Sequence, residues 1–266
     1  MSMREAVKLA RSANGFATLR LCRPDKHNAM SDAVIGRIRE VLAEAKELKP
    51  RALFVRAEGR SFSAGADLEW MKRAATYTRE ENTKDAMELG TMLKELATFP
   101  SPTVALVQGA ALGGGVGLVA ACDIAVGVKK ASFTLSEVKL GLIPATISPY
   151  VVRRIGSNQC RRYFLTAERM SADEARRIGL LHEVVEEESG LDSFEEHFQE
   201  HFARNGPGAM EASKSLIEAV ESQPCLNDEL ILETAQRLAA QRDTDECREG
   251  IGAFFEKRAP AFNTGA

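Results

Sequence analysis

The chain has 266 residues, enough for one large core or a core with a modest appendage. Hydrophobic residues at 44% and charged residues at 27% describe an ordinary soluble globular protein. A net charge of -3 gives no footprint for nucleic acid or an anionic membrane, and no apolar stretch reaches bilayer-spanning length.

The opening MSMREAVKLARSANG lacks the apolar core of a signal peptide, and its shortness together with Glu5 argues against a transit segment. Phe16–Cys22 reads as a strand, since Phe16, Leu19 and Leu21 are apolar and Thr18 favours extended backbone. Arg23-Pro24-Asp25-Lys26-His27-Asn28 is a loop, after which Ser31 or Asp32 caps a helix. That helix carries Val34, Ile35, Ile38, Val41 and Leu42 as a 3.6-period stripe. Leu53–Val55 is a buried strand, and Met71–Leu96 is largely helical with a mobile polar section at Thr76–Asn82. Pro100 and Pro102 end that element before the next strand, Val104–Gln108. A buried helix over Gly115–Ala121 precedes short strands at Asp123–Val126 and Ala131–Leu135. Pro144 and Pro149 bracket a loop, followed by helices at Tyr150–Ile155 and after Ser171, with Val184–Val185 closing the block. Strands and helices alternating in this way predict an α/β fold. Beyond the acidic bend at Glu186–Gly190 the chain is almost entirely helical to Phe262, so two domains are expected, 1–190 and 191–266.

The cysteines, Cys22, Cys122, Cys160, Cys225 and Cys247, are odd in number and far apart, with no C-x-x-C pair. A disulfide framework and a zinc cluster are both unsupported, and a reducing, cytoplasmic setting is expected. His27, His182, His197 and His201 form no metal triad with nearby acids.

The run Ala110-Ala111-Leu112-Gly113-Gly114-Gly115-Val116-Gly117 is the most informative stretch. Three successive residues without a Cβ let backbone N–H groups approach a ligand, and a helix starting there points its positive end at it. That suits an oxyanion or a phosphate, while the plain alternative is close helix–strand packing. Phe62-Ser63-Ala64-Gly65-Ala66-Asp67 is a second small-residue segment able to bring another N–H to the same place. Glu137, at the edge of apolar sequence, is the best proton-transfer candidate.

These segments resemble the enoyl-CoA hydratase/isomerase family, the crotonase superfamily, over nearly the whole chain. The strings that carry the likeness are Arg23-Pro24 with Asn28-Ala29-Met30, Phe62–Leu68, Gln108-Gly109 with Gly113-Gly114-Gly115, Ala121–Ala125 and Ser136–Pro144. Ala175–Val185 and Glu256-Lys257-Arg258 extend it. The resemblance implies a crotonase-like spiral of repeated ββα units with a helical C-terminal region for trimerisation and site cover. It also implies a homo-oligomer, a trimer or a dimer of trimers. Coenzyme A enters as the carrier of the acyl thioester, with water as co-substrate and no redox or metal cofactor. Ala66 and Gly114 map to the backbone N–H pair that holds the thioester oxygen, a contact worth roughly 3 kcal/mol per donor in the transition state. Glu137 maps to the family's proton-handling glutamate. Arg23, Lys26, Ala64, Ala66, Asp67, Leu68, Gly114 and Lys257 map to the coenzyme A contact regions, although Arg23 also suits a loop-supporting role and Asp67 a helix cap.

One position departs from the pattern. The best-known hydratases carry a second glutamate where this chain has Gly117, and a lone glutamate is familiar from isomerases of the superfamily. The strings Phe62–Met71 and Leu140–Tyr150 look like the bacterial branch assigned to methylglutaconyl-CoA and carboxygeranoyl-type hydratases, in which that glycine also occurs. The reading is therefore reversible hydration of 3-methylglutaconyl-CoA, a step of leucine breakdown, with the substrate's own carboxylate or Ser136 or Ser148 helping to place the water. The alternatives are Δ3,Δ2-enoyl-CoA isomerisation by Glu137 alone, hydration of another enoyl-CoA, and a non-catalytic coenzyme A-binding scaffold.

Overall fold

Short β-branched or apolar segments and capped amphipathic helices alternate through the first two-thirds of the chain. In the computed structural model, which describes residues 3–223 and 225–264, the order begins α1 (Met3–Ala6), β1 (Val7–Arg11), β2 (Ala17–Leu21), α2 (Asp32–Leu48). It continues β3 (Leu53–Ala57), β4 (Ser61–Ser63), α3 (Leu68–Ala74), α4 (Arg79–Ala97), β5 (Thr103–Val107), β6 (Ala110–Leu112) and α5 (Gly114–Ala121). Then come β7 (Ile124–Val128), β8 (Ser132–Thr134), α6 (Ser148–Thr166), β9 (Met170–Ser171), α7 (Ala172–Arg177) and β10 (Glu183–Val185). The chain ends in α8 (Glu188–Arg204), α9 (Pro207–Glu221), α10 (Asp228–Arg242) and α11 (Asp245–Phe255). Two compact units result: residues up to Phe99 with Thr103–Glu195, and Pro100–Pro102 with the chain from Glu196 onward.

The first unit is built on two sheets. One has the order β1-β2-β3-β5-β7-β10, with only β1 antiparallel to its neighbour. The other has the order β4-β6-β8-β9, parallel except for the β8–β9 pair. The pairs β3/β4, β5/β6 and β7/β8 each give one strand to each sheet and then lead into helical chain. This is the repeated ββα spiral that the sequence led us to expect. Burial follows position: central β5 is buried at every residue, whereas β2 alternates between buried Ala17, Leu19 and Leu21 and half-buried Thr18 and Arg20.

The helices obey their local signals. Ser31 caps α2 by accepting from the Val34 N–H, and α2 buries the predicted stripe of Val34, Ile35, Ile38, Val41 and Leu42. Ser171 caps α7 in the same way. The polar stretch Thr76–Asn82, expected to be mobile, instead holds the start of α4. There Thr78 Oγ1 accepts from the Glu81 N–H at 3.2 Å while the Glu81 carboxylate accepts from the Thr78 N–H at 2.7 Å. The helix expected at Tyr150–Ile155 is the first part of a longer element, α6, interrupted at Gly156 where φ is 76°. Strands β1, β4, β6 and β9 had no counterpart in the sequence reading, because segments of two to five residues carry too little periodicity to register.

The second unit is helical. Glu246 of α11 reaches back to α9, where its carboxylate accepts from the Gly208 N–H at 2.9 Å and the Ala209 N–H at 2.7 Å. A carboxylate at that helix start satisfies orphan donors and meets the positive end of the dipole. Large apolar side chains remain uncovered in this unit, among them Phe254 at 78% and Phe255 at 77% exposure. All five cysteines are free, and no helix among the described residues is long and apolar enough to cross a membrane.

Candidate active site

Because β4, β6 and β8 run parallel and side by side, their C-terminal ends open onto the same edge of the small sheet. The segments that leave those ends are residues 64–67, the turn at Gly113–Gly114, and the turn that starts at Glu137. The topology alone brings together the three parts that the sequence separates by some seventy positions.

The first part is oriented by a single bridge. Met30 pairs with Ala66 as an isolated parallel bridge, its N–H donating to the Gly65 carbonyl at 2.7 Å and its carbonyl accepting from the Asp67 N–H at 2.8 Å. In this pattern residues 65 and 67 bond toward Met30, so the Ala66 N–H points the other way. It has no acceptor among the described residues. Ser63 stiffens the same loop, its hydroxyl donating to the Asn28 carbonyl at 2.9 Å and accepting from the Gly65 N–H at 3.3 Å. Asn28 is buried and spans the base of the site, its amide donating to the carbonyls of Glu58 and Ser61 at 2.8 Å each.

The second part needs glycine. Gly65 has φ of 82°, and a Cβ there would lie 2.7 Å from the Leu112 carbonyl oxygen and 3.7 Å from the Gly114 nitrogen. The two loops therefore touch through backbone. Gly113, with φ of 47°, donates to the Thr134 carbonyl at 2.9 Å and hands over to α5 at Gly114. As the first residue of α5, Gly114 carries an N–H without an acceptor among the described residues. Two unpartnered amides thus lie on adjacent loops, the arrangement that stabilises a developing oxyanion.

Glu137 is the third part. Its Oε2 is buried without a hydrogen-bond partner, and its Oε1 lies 3.1 Å from where a Cβ on Gly113 would sit. Burial raises its pKa above the ordinary glutamate range, opposed by a hydrogen bond from its own backbone. An unpaired buried carboxylate oxygen is costly in a folded protein, and this side chain reaches the turn at Gly113, the residue before Gly114.

Gly117 faces a filled space. A Cβ there would meet Ile147 Cγ2 at 2.4 Å and Ile147 Cβ at 3.0 Å, with Leu93 Cδ1 at 3.5 Å. Ile147 is 1% exposed and Leu93 fully buried, so the place of a second carboxylate is occupied by packed hydrocarbon. Gly115 does the plain structural work that the glycine run also allowed: a Cβ would lie 2.7 Å from the Ser63 carbonyl oxygen.

The remaining residues singled out from the sequence take the following places, each described within its own unit. Arg23 is tied into the loop, donating to the Ala29 carbonyl at 3.0 Å and pairing with Asp67 at 3.4 Å. Asp67 also caps α3 through the Glu69 N–H. Ala64 donates its N–H to the His27 carbonyl at 2.9 Å, Leu68 is exposed at the start of α3, and Lys26 is exposed on its turn. Lys257 is exposed in the second unit, with φ of 54°. Ser148 donates its hydroxyl to the Ala145 carbonyl at 2.8 Å. Sequence reading missed Met30 as the element that orients Ala66, and Ile147 as the stopper at Gly117. A one-residue bridge and a lone loop isoleucine leave no pattern to find. Among the described residues, no cluster of three His, Cys, Asp or Glu side chains could hold a metal ion.

Comparison with known proteins agrees with this geometry. The enoyl-CoA hydratase/isomerase family model matches residues 11–265. An enoyl-CoA hydratase from Shewanella pealeana superimposes with a TM-score of 0.92 at 41% identity, covering 96% of this chain and 95% of that one. Pseudomonas aeruginosa AtuE gives 0.92 at 37% identity, covering 97% and 100%. The 1,2-epoxyphenylacetyl-CoA isomerase of Escherichia coli is 29% identical over 264 residues, 96% of this chain and 97% of its own. The chain belongs to the enoyl-CoA hydratase/isomerase family, and its relatives include both hydratases and isomerases of coenzyme A thioesters.

Two outcomes follow from the site. Gly117→Ala gains about 1 kcal/mol of helix propensity but loses about 1–3 kcal/mol to overpacking, so it is net destabilising in the natural background. In an Ile147→Ala background the 2.4 Å contact with Cγ2 is gone and the 3.0 Å contact with Cβ remains, so the same change costs less, which a denaturant double-mutant cycle reads as a coupling energy between the two sites. Glu137→Gln raises the midpoint of thermal unfolding at neutral pH. A carboxyl whose folded pKa is raised favours the fold below its unfolded pKa and loses that contribution as pH rises through the folded value. The gain over the natural chain therefore vanishes in acid below the ordinary glutamate range, and melting curves across pH test it.

Proposed function

We propose that this member of the enoyl-CoA hydratase/isomerase family reversibly adds water to an α,β-unsaturated acyl-CoA, with 3-methylglutaconyl-CoA as the substrate. The observation that carries the reading is the unpartnered, buried Glu137 Oε2 beside the two free amides. The thioester oxygen sits between the N–H groups of Ala66 and Gly114, which draw negative charge onto it as the enolate forms. Glu137 takes a proton from water as the water oxygen bonds to Cβ. It then returns that proton to Cα as the enolate collapses, so H and OH add across the double bond and the carboxylate is restored. Replacing Glu137 with Gln removes both transfers and lowers kcat by about 10²–10⁴-fold. In the hydration direction, kcat/KM falls toward acid with a midpoint above the ordinary glutamate range.

The branch-type sequence strings support the methylglutaconyl assignment, since a substrate carrying its own carboxylate supplies what Gly117 does not. Coenzyme A anchoring falls to Lys26 and Lys257 in this reading, with Arg23 and Asp67 bracing the loop. Ala64 and Leu68 flank the thioester. The family-wide habit of oligomerising, together with the uncovered Phe254 and Phe255, supports a homo-oligomer of three or six copies. Sedimentation equilibrium at micromolar protein tests that, and a monomer would refute it. The free thiols suit a reducing cytoplasm.

One observation favours a second reading. The dry wall of Ile147 and Leu93 leaves Glu137 alone, and a single carboxylate suffices to move a proton between two carbons without water. Incubation with 3-methylglutaconyl-CoA, crotonyl-CoA and a Δ3-enoyl-CoA, with products weighed by mass spectrometry, separates the two. A gain of one water, fastest with 3-methylglutaconyl-CoA, is the expected result. Unchanged mass with a migrated double bond refutes hydration in favour of isomerisation.

A further inference from the structure

Ser63 is the last residue of β4, fully buried, and it touches both segments that carry the free amides. Its backbone and Cβ press on the start of α5. A Cβ on Gly115, the residue after Gly114, would lie 2.7 Å from the Ser63 carbonyl oxygen and 2.9 Å from Ser63 Cβ. Its hydroxyl serves the other segment, donating to the Asn28 carbonyl at 2.9 Å and accepting from the Gly65 N–H at 3.3 Å. The direction of both bonds is fixed, because a carbonyl only accepts, a peptide N–H only donates and a hydroxyl has one proton. Asn28 is anchored in turn. Its side chain accepts from the Arg23 N–H at 2.8 Å and donates to the Glu58 and Ser61 carbonyls.

A buried hydroxyl carries a desolvation cost that alanine at this place avoids. What the hydroxyl supplies is control of one peptide plane. Gly65 has no Cβ and stands at φ of 82°, so its own sterics do little to fix the peptide that follows. That peptide joins the Gly65 carbonyl to the Ala66 N–H, and across a trans bond the two point in opposite directions. Gly65 is gripped on both sides of its Cα. On the carboxyl side the Met30 N–H donates to its carbonyl at 2.7 Å. On the amino side the Ser63 hydroxyl holds its N–H. Losing the second grip leaves the glycine free to pivot about the first.

We infer that Ser63 is a positioning residue whose hydroxyl aims the Ala66 N–H at the thioester oxygen. The inference rests on the acyl-CoA reading above and adds the side chain that sets the angle of one of its two amides. Ser63 touches neither the substrate nor the proton that Glu137 moves. Its two duties are separable. Ser63→Ala keeps the Cβ and the backbone that meet Gly115, so it releases the Gly65 side alone.

Infrared difference spectra of bound butyryl-CoA, labelled with carbon-13 at the thioester carbonyl, read the aim of the amides directly. That thioester is saturated and cannot be hydrated, so the measurement is independent of turnover. Wild type is expected to lower the carbonyl stretch, and Ser63→Ala to lower it less. Ser63→Ala also cuts kcat about tenfold, less than the roughly 10²–10³ of losing a donor outright. Its KM moves by less than about twofold, since the amide contact strengthens mainly in the transition state. Ser63→Cys falls between the two, a thiol being the weaker partner, and stands in for Ser63→Ala if that variant does not fold. Ser61→Ala removes a hydroxyl of the same strand that bonds His27 Nδ1 instead of Gly65, and it keeps the wild-type shift. A Ser63→Ala spectrum equal to wild type, or a loss carried wholly by KM, overturns the positioning role. Wild type without any shift takes the thioester from between the amides and overturns the acyl-CoA reading as well. A shift that Ser63→Ala diminishes, in a protein that only moves the double bond of a Δ3-enoyl-CoA, upholds the positioning role and overturns hydration instead.

Discussion

Met30 takes the backbone bonds of Gly65 and Asp67, and in doing so turns the Ala66 N–H away from the protein's own acceptors. The rest of the site depends on that small act of pairing. A peptide N–H inside a folded protein is nearly always satisfied, and leaving one free is unfavourable unless something else is to bind it. The second free amide, at Gly114, arises for a different reason, the unavoidable orphan donors at the start of a helix. Contact between the loops at Gly65 and Leu112 puts the residues that carry the two amides on touching segments, and a Cβ at position 65 would force those segments apart.

Glu137 illustrates the tension between folding and chemistry. Its buried oxygen has no partner, and its surroundings favour the protonated form. A fold selected for stability alone would pair this group or replace it. Around it the protein is otherwise careful with its polar atoms: the described residues hold just one other buried side-chain atom without a partner, Gln108 Oε1. Strain of this kind concentrates where a substrate is to complete the hydrogen bonding.

Much of this was legible before any coordinates. The α/β class, the capped helix at Ser31, the buried strands at Leu53 and Val104, the glycine run and Glu137 were all readable, because each rests on a local signal or an ordered motif. The family resemblance supplied the spiral of ββα units, which periodicity could not, since β4, β6 and β9 are three residues or fewer. The packing at Gly117 was invisible for another reason. Its neighbour Ile147 lies thirty residues away, and nothing in either local sequence announces the other. A glycine at that place reads as an empty socket in one dimension and as a filled one in three. The polar stretch at Thr76–Asn82 misled in the opposite direction, because a capping box and a mobile loop share the same composition.

The Ile147 stopper also has a historical consequence. In this chain an acidic side chain at position 117 and the isoleucine at 147 compete for one space. Placing glutamate on α5 first meets packed hydrocarbon in the way, whereas trimming the isoleucine first opens a hollow that the later acid fills. Descendants that keep the bulky residue are thereby held to the single-acid state.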